Sequence, residues 1–325
     1  MLLERRVLSE TKKRILELVG LLSALSLVFL SGCSKLAVLN PQGPVAKTQS
    51  DLIIWSMWMM LIVVVVVFAI FIFVLVKYRE KPENMDYEPP EQEGNLKMEV
   101  IWTAFPIIIL ILLAVPTVKA IYSAEEVPAE SKDKDPIVIH VTSANWKWIF
   151  SYPEQNIETV NYVNIPADTP VKFELTAQGP MNSFWVPELG GQKYSMNNMS
   201  MPLYLEADKP GSYMGRSANF SGEHFTQMQF EVQAQTDKDF KEWVSDVKGT
   251  AGKLTEKKYD QILSPGVVGR QTYNGTHLKW IDHAKDVYIP GKELERGTGH
   301  DHSKMKEDEK TSNEEMENMD HSNHE

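Results

Sequence analysis

The stretch LIIWSMWMMLIVVVVVFAIFIFVLV, residues 52–76, is an apolar run without a single charged side chain. A helix of this length, at about 1.5 Å per residue, exceeds the roughly 30 Å hydrocarbon core of a bilayer. A second run at residues 99–118 contains Pro106 and Pro116, which membrane helices tolerate because neighbouring groups satisfy the freed backbone. We therefore predict a transmembrane helix hairpin over residues 51–119, with helices at 52–76 and 99–118. A buried soluble hairpin is the alternative.

Upstream of the hairpin, residues 1–32 have the organisation of a lipoprotein signal peptide. Basic residues precede an apolar stretch at residues 18–30, and Ser31 and Gly32 precede Cys33, the only cysteine of the chain. Bacterial lipoprotein processing attaches diacylglycerol to a cysteine at the first mature position. The sequence thus predicts lipid attachment at Cys33 and a lipid-anchored N-terminal segment over residues 33–50. An uncleaved anchor with a chance cysteine is the alternative.

These features also predict an orientation in the membrane. If Cys33 lies outside, the first helix runs inward and brings Lys77, Arg79 and Lys81 to the cytoplasmic side, as the positive-inside rule favours. The second helix then returns, so the C-terminal part lies on the outer face of a bacterial cell membrane.

The C-terminal part has a different residue pattern, in which short β-branched and aromatic runs are separated by Pro, Gly and Asn. We predict an all-β domain at residues 120–235, with one strand over 159–163, and a helical C-terminal extension at 236–296. Thr236 is the predicted N-cap of its first helix, and a second short helix contains Tyr259, Ile262 and Leu263. Residues 297–325 are predicted to be a disordered acidic tail.

Composition excludes several classes of function. The formal net charge of -11 argues against nucleic acid as a partner, because phosphate backbones select for Lys and Arg. One cysteine allows no intrachain disulfide. The sequence contains no serine-histidine-carboxylate pattern, phosphate loop or CxxC motif, so we expect no catalytic activity from this chain alone.

The order of parts resembles subunit II of the bacterial haem-copper terminal oxidases. The strings that carry this resemblance are KMEVIWT at 97–103, WKW at 146–148, YPEQ at 152–155, MNSFWVP at 181–187 and the segment 215–228. The resemblance extends from Cys33 to about Tyr288. It implies a cupredoxin-like Greek-key domain outside the membrane, and subunit I and other small subunits of the oxidase as partners.

The branch of this family that oxidises cytochrome c holds a dinuclear copper centre, and its ligand positions read differently here. The two bridging cysteines fall on Ser217 and Ser221, and the ligand glutamate falls on Asn219. The two histidines fall on Asn182 and Phe225, so that Met228 alone keeps its family identity. His224 lies one position away from the distal histidine.

Copper sites of this kind need thiolates, and serine supplies no comparable anion. We therefore expect no metal and no cofactor in this subunit, with haems and copper confined to subunit I. Family members that lack the centre look like quinol oxidases, in which quinol, here menaquinol, delivers electrons directly to subunit I. The resemblance thus predicts subunit II of a proton-translocating quinol oxidase.

Four further sets of residues have a functional and a non-functional interpretation. Glu99 opens the second membrane helix and is a candidate for proton entry, or a charge that merely marks the helix start. Trp146 and Trp148 are expected to be structural aromatics rather than an interface with subunit I. Gln155 and Asn182 are expected not to reach a quinol headgroup. The tail is expected to be solvated rather than copper-binding, although it contains His300, His302, His321, His324, Met305, Met316 and Met319.

Two rival functions are weighed against this prediction. One is a copper-bearing cytochrome c oxidase subunit, which the missing cysteines disfavour. The other is a free-standing lipid-anchored binding protein with a cupredoxin-like domain. Two spanning helices are superfluous in a protein that a lipid already anchors, and this favours a membrane partner.

Overall fold

A computed structural model describes residue 20, residues 36–79 and residues 94–286 of the chain. Cys33, the signal peptide and the acidic tail with its histidines lie outside these residues. The described part consists of a helical hairpin, a β-sandwich of two sheets and a helical extension packed against the sandwich. The predicted fold class, a two-helix membrane hairpin followed by an all-β cupredoxin-like domain with short C-terminal helices, is confirmed.

The hairpin contains α1 (Pro44–Lys77) and α2 (Leu96–Ser123), both long and apolar enough to cross a membrane. Each helix is longer than its predicted apolar run, because α1 begins near the sandwich and α2 ends near it. Helix α2 stays continuous through Pro106 and Pro116. The helices touch along stripes of half-buried side chains, and Trp55 Nε1 donates to the carbonyl of Leu112 at 3.4 Å. Their remaining faces are exposed apolar surface, as a membrane protein requires.

The sandwich is formed by eleven strands in the described part of the chain. One sheet has the order β11-β3-β2-β1-β5-β8 and the other β4-β10-β9-β6-β7. Each contains one parallel pair, β1 with β5 and β4 with β10. The strand bounds are β1 Ile137–Ala144, β2 Lys147–Tyr152, β3 Ile157–Val160, β4 Tyr162–Pro166, β5 Val171–Ala177, β6 Asn182–Val186, β7 Gly190–Ser195, β8 Met201–Leu205, β9 Gly211–Ser217, β10 Gln229–Gln235 and β11 Gln271–Asn274.

An aromatic core holds the two sheets together. Trp148, Phe150 and Phe173 of one sheet meet Phe184 and Phe230 of the other, and all five are buried. The rings of Phe184 and Phe230 stack with centroids 4.8 Å apart. Large aromatic side chains contribute most of the burial energy of such a core.

The predicted single strand over 159–163 is wrong. Asn161 adopts a φ of 60°, which breaks the run into β3 and β4 and sends them to different sheets. The carboxamide of Asn161 stabilises this corner by accepting from the backbone N–H of Trp148 at 2.9 Å and donating to the carbonyl of Val268 at 2.7 Å. Left-handed φ values are tolerated by Asn better than by most residues.

The C-terminal extension contains α3 (Asp237–Thr250) and α4 (Glu256–Leu263), as predicted. Thr236 caps α3, with its hydroxyl accepting from the N–H of Asp239 at 3.2 Å. Buried residues of α4 and the segment after it form a second apolar cluster. The extension also supplies β11, which pairs with β3 and which the sequence analysis did not predict.

The first turn of α1 is seated directly on the sandwich. Gly43 lies so close to β8's end that an added Cβ would stand 2.0 Å from the carbonyl oxygen of Glu206. Gly190, at φ +99°, also approaches α1 closely, since a Cβ there would lie 2.7 Å from the backbone nitrogen of Ala46. Only glycine permits such backbone contacts. The helix and strand β7 therefore meet with no intervening side chain.

Candidate functional site

Three positions predicted from the copper-site pattern come together at one end of the sandwich. Asn182 opens β6, Ser217 closes β9, and Met228 immediately precedes β10. The hydroxyl of Ser217 donates to Asn182 Oδ1 at 3.3 Å and to the carbonyl of Asn219 at 3.2 Å. The backbone N–H of Ser217 donates to the carbonyl of Met228 at 3.1 Å. We call this end, formed by Asn182, Ser217, Asn219, Ser221, Phe225 and Met228, the vestigial site.

Asn182 is the fully buried centre of this arrangement. Its Nδ2 donates to the carbonyl of Pro180 at 2.9 Å, and its backbone carbonyl accepts from Ser195 Oγ at 3.3 Å. The hydroxyl of Ser195 lies 2.8 Å from that of Ser143. The interior of the vestigial site is thus a chain of neutral amide and hydroxyl groups that satisfy one another.

The loop between β9 and β10 carries the remaining positions. Asn219 Nδ2 donates to the carbonyl of Met181 at 3.1 Å. Ser221 directs its backbone carbonyl to Trp146 Nε1 at 3.2 Å, while its buried hydroxyl has no hydrogen-bond partner among the described residues. Phe225 packs against Phe220 with ring centroids 5.7 Å apart. The loop is therefore held by the side-chain amide of Asn219, by the backbone carbonyl of Ser221 and by aromatic contacts.

His224 is directed away from the interior of the vestigial site. Its ring meets Trp146 edge-on, with centroids 4.8 Å apart and planes at 90°. Gly222, at φ +111°, brings the loop against the same indole, where an added Cβ would lie 3.3 Å from Trp146 Cζ2. Trp146 is half-buried beneath this loop, whereas Trp148 lies fully buried in the aromatic core.

The chemical capacity of the vestigial site follows from its donor atoms. It offers hydroxyls, carboxamides, backbone carbonyls and the buried thioether of Met228. None of these groups is an anion at neutral pH, and hydroxyl and amide oxygens are hard ligands that suit copper poorly. Such an arrangement closes the end of the sandwich and forms hydrogen bonds.

A second buried polar cluster lies under the C-terminal extension, and the sequence analysis missed it. Glu158 Oε2 accepts from Ser151 Oγ at 2.8 Å and from the backbone N–H of His277 at 3.0 Å, and it lies 2.7 Å from His277 Nδ1. The ring of Tyr259 stacks on His277 at 4.4 Å, and its hydroxyl lies 2.7 Å from His283 Nε2. We call Ser151, Glu158, Tyr259, His277 and His283 the extension cluster.

The environment of the extension cluster disfavours added charge. His283 is only 2% exposed, and burial, reinforced by the nearby His277, lowers its pKa to about 3. Asp282 opposes this shift weakly. His283 is consequently a neutral imidazole at physiological pH.

Lys147, between the two tryptophans of the WKW string, is also buried under the extension. Its ammonium donates to the carbonyl of Ser264 at 2.6 Å, at the C-terminal end of α4. A cation is favoured there by the helix dipole. Burial nevertheless lowers the pKa of Lys147 to about 8.

Glu99 lies far from both clusters, in the exposed first turn of α2. Asn95 caps this helix through its side-chain oxygen, which accepts from the N–H groups of Lys97 and Met98 at 3.1 and 3.3 Å. The backbone N–H of Glu99 donates to the carbonyl of Asn95 at 3.0 Å. The carboxylate therefore stands at the positive end of the helix dipole, at the end of the hairpin opposite the sandwich.

A family model and several relatives of this chain bear the names of oxidase subunits II. Residues 35–120 match the family described as cytochrome c oxidase subunit II, transmembrane domain. A protein of Bacillus cereus named quinol oxidase subunit 2 is 61% identical over 274 residues, covering 84% of this chain and 94% of that protein. The quinol oxidase subunit 2 of Bacillus subtilis is 50% identical over 277 residues, with 84% and 86% covered.

Two solved structures have a partial likeness to this chain. The periplasmic domain of subunit II of the Bradyrhizobium japonicum cytochrome oxidase is 20% identical and covers 36% of this chain and 96% of its own, with a TM-score of 0.35. A chain of a heme-copper terminal oxidase dimer is 14% identical and covers 54% and 96%, with a TM-score of 0.27.

Proposed function

The chain belongs to the quinol oxidase subunit 2 family, and we propose that it serves its oxidase complex without a copper centre of its own. Its membership, shown by 61% identity over most of the chain, makes it a membrane-bound subunit of an oxidoreductase and confirms that prediction. We further propose that subunit I holds the haems and copper, that the donor is a quinol such as menaquinol, and that the complex translocates protons.

The observation that carries the copper-free proposal is the chemistry of the vestigial site. A dinuclear thiolate-bridged centre needs two sulfur anions, and Ser217 and Ser221 supply neutral hydroxyls in their place. Asn182 and Phe225 supply no imidazole. The hydroxyl of Ser217 is already engaged with Asn182 and Asn219. The residues present do not fit the copper centre of the wider family.

The decisive experiment compares electron donors on the purified complex. We expect rapid oxygen uptake with a reduced menaquinol analogue and negligible uptake with reduced cytochrome c. Metal analysis should find only the copper that belongs to subunit I. Stoichiometric extra copper assigned to this subunit, or rapid turnover on cytochrome c, would establish the copper-bearing alternative. Purification of the chain without any haem-bearing subunit would favour the free-standing binding protein.

A finer part of the proposal assigns proton entry to Glu99. Its support is the exposed position of an ionisable side chain at the end of a membrane helix, at the end of the hairpin opposite the sandwich. Glu99→Gln keeps the size of the side chain and removes its proton affinity, so we expect slower quinol oxidation and slower proton uptake. Lys97→Gln, two residues away, is the control for an altered helix start. Equal turnover in both variants would leave Glu99 as a mere helix-start charge.

The membrane arrangement is the last part of the proposal. We place the lipid on Cys33 and the sandwich on the outer face, supported by the signal-peptide pattern and by Lys77 and Arg79 at the other end of α1. Mass spectrometry of the mature subunit should show an N-terminal diacylglyceryl cysteine, and Cys33→Ser should abolish it. An intact Met1 in the purified protein would contradict the proposed cleavage of the signal peptide before Cys33. Trp146 and Trp148 we assign to packing, in keeping with their contacts.

A further inference from the structure

A cavity of about 530 Å³ lies where the two membrane helices meet the sandwich. The start of α1, the end of α2, residues 128–130 and strand β7 surround it. Its lining shares no residue with the vestigial site or the extension cluster, and the proposed function makes no use of it. In a membrane protein, the ends of spanning helices lie at the level of the lipid headgroups. The cavity therefore opens at the boundary between water and hydrocarbon.

Between α1 and β7, the wall of this cavity is already in close contact. Gly190 and Gly191 bring β7 against Ala46 of α1 and Leu203 of β8, and an added Cβ at Gly191 would lie 2.8 Å from Leu203 Cδ1. Leu203 and Ala46 are buried at this seam. Because these backbones are already in contact, α1 cannot move nearer to β7. The cavity is a built feature of the joint.

The lining is amphipathic. Leu52, Ala120 and Ile121 contribute apolar surface that continues into the apolar runs of the two helices. The charged side chains of the lining are Lys47, Asp51, Glu125, Glu130 and Lys193. A ligand that satisfies both parts has a polar head and a hydrocarbon chain.

The charged side chains of the lining restrict which polar head group the ligand can carry. Lys193 and Glu125 pair with each other at 3.4 Å. Within residues 36–79 and 94–286, Lys47, Asp51 and Glu130 form no ion pair, so one cation and two carboxylates remain for a ligand. Lys47 and Asp51 stand one helical turn apart on the same face of α1. A head with a phosphate and an ammonium complements these groups, whereas a purely anionic head meets the two carboxylates unfavourably.

We propose that this cavity binds one zwitterionic aminophospholipid of the phosphatidylethanolamine type. Lys47 receives the phosphate, Asp51 and Glu130 receive the ammonium, and an acyl chain lies along Leu52, Ala120 and Ile121. The lipid then acts as a structural ligand that seals the joint between hairpin and sandwich. This inference needs only the membrane location of the chain, so it stands or falls separately from donor specificity.

The test uses the intact oxidase complex, stripped of loosely held lipid in detergent and examined by native mass spectrometry. Dioleoyl phosphatidylethanolamine and dioleoyl phosphatidylglycerol are the probes, titrated separately. We expect one tightly held ethanolamine lipid per complex and weaker binding of the glycerol lipid. Ala120→Trp fills the cavity and should weaken the tight binding by more than about tenfold. Ala69→Trp, in the exposed middle of α1, is the matched control and should leave it unchanged.

Two charge variants test the assignment of the head. Lys47→Gln should weaken binding of both lipids by about fivefold, the effect of one basic residue near a phosphate. Glu130→Gln should weaken only the ethanolamine lipid. Equal retention of both lipids by all variants would mean non-specific annular lipid and overturn the proposal. A structure of the complex with a side chain of another subunit in the cavity would overturn it as well.

Discussion

The vestigial site and the extension cluster are both buried polar clusters in one sandwich, yet they are built from opposite chemistry. The vestigial site holds only neutral groups, centred on Asn182 and Ser217. The extension cluster gathers a carboxylate and two imidazoles, which are the side chains that the vestigial site lacks. Glu158, His277 and His283 are thus buried beneath the C-terminal extension and not at the vestigial site.

This difference separates two uses of polar groups in a protein interior. Neutral groups that satisfy one another close the end of a sandwich at modest energetic cost. A buried carboxylate makes the local structure depend on its donors, because removal of one partner leaves the others unsatisfied. We therefore expect the extension cluster to determine stability and the vestigial site to tolerate change.

The largest effect is expected from Glu158→Ala. Ser151, the backbone N–H of His277 and the His277 ring all lose their acceptor, and a buried space remains. Loss of one partner from a buried polar pair typically lowers the free energy of unfolding by about 3–5 kcal/mol. Thermal unfolding of the purified complex and protease sensitivity of the extension are the measurements. Glu158→Gln keeps the volume and one acceptor oxygen and should lose much less, whereas equal losses in the two variants would show that the carboxylate itself, and not the filled volume, stabilises the cluster.

The second largest effect is expected from acid, which should lower the free energy of unfolding through the extension cluster. The folded pKa of His283, about 3, lies below its ordinary value of 6.5, so between these values the unfolded chain binds a proton that the folded chain refuses. The free energy of unfolding should fall by about 1.4 kcal/mol for each pH unit below 6.5. Unfolding midpoints between pH 7 and pH 5 measure this slope. His283→Gln should flatten it, and an unchanged slope would assign the effect to other groups.

A smaller loss is expected from Asn182→Ala at the vestigial site. The substitution leaves the hydroxyl of Ser217 with one acceptor fewer and removes the bond to Pro180. Such a change typically costs about 1–3 kcal/mol. The shift in the unfolding midpoint should be clearly smaller than that of Glu158→Ala. A larger shift would reverse the contrast between the two clusters.

The smallest effect is expected from Ser221→Ala. The hydroxyl of Ser221 is buried and has no hydrogen-bond partner in the described part of the chain, whereas its backbone carbonyl carries the contact with Trp146. Removal of an unsatisfied hydroxyl should change the free energy of unfolding by about 0–1 kcal/mol, in the stabilising direction. Calorimetry of the complex decides the sign. A clear destabilisation would reveal a partner for this hydroxyl in the assembled oxidase.

Much of the fold could be predicted because local signals are strong. The run at 52–76 fixes a membrane helix, and Thr236 marks the start of α3 as predicted. The positions of the vestigial site could be found through the family resemblance, and the structure brings Asn182, Ser217 and Met228 together. Strand β11 could not be predicted, since its pairing with β3 joins residues more than a hundred positions apart.

The extension cluster escaped prediction for a related physical reason. In the string Ile157-Glu158-Thr159-Val160, alternation assigns Glu158 to a solvent-facing side of the strand. The extension covers that side with Tyr259 and His277, so the strand is buried on both faces. The burial of Lys147 could not be predicted for the same reason, because the extension lies over its side chain. A pattern of local polarity contains no information about which distant segment will lie on top of it.

The glycine seam between α1 and the sandwich has a mechanical consequence. At Gly43 and Gly190 the backbone of one element lies in direct contact with the backbone of the other, so no long side chain separates them at these two points. Strand β7 is paired with β6, whose first residue is Asn182. We therefore expect a tilt of α1 to displace β7 and, through its pairing with β6, the end of the sandwich at Asn182.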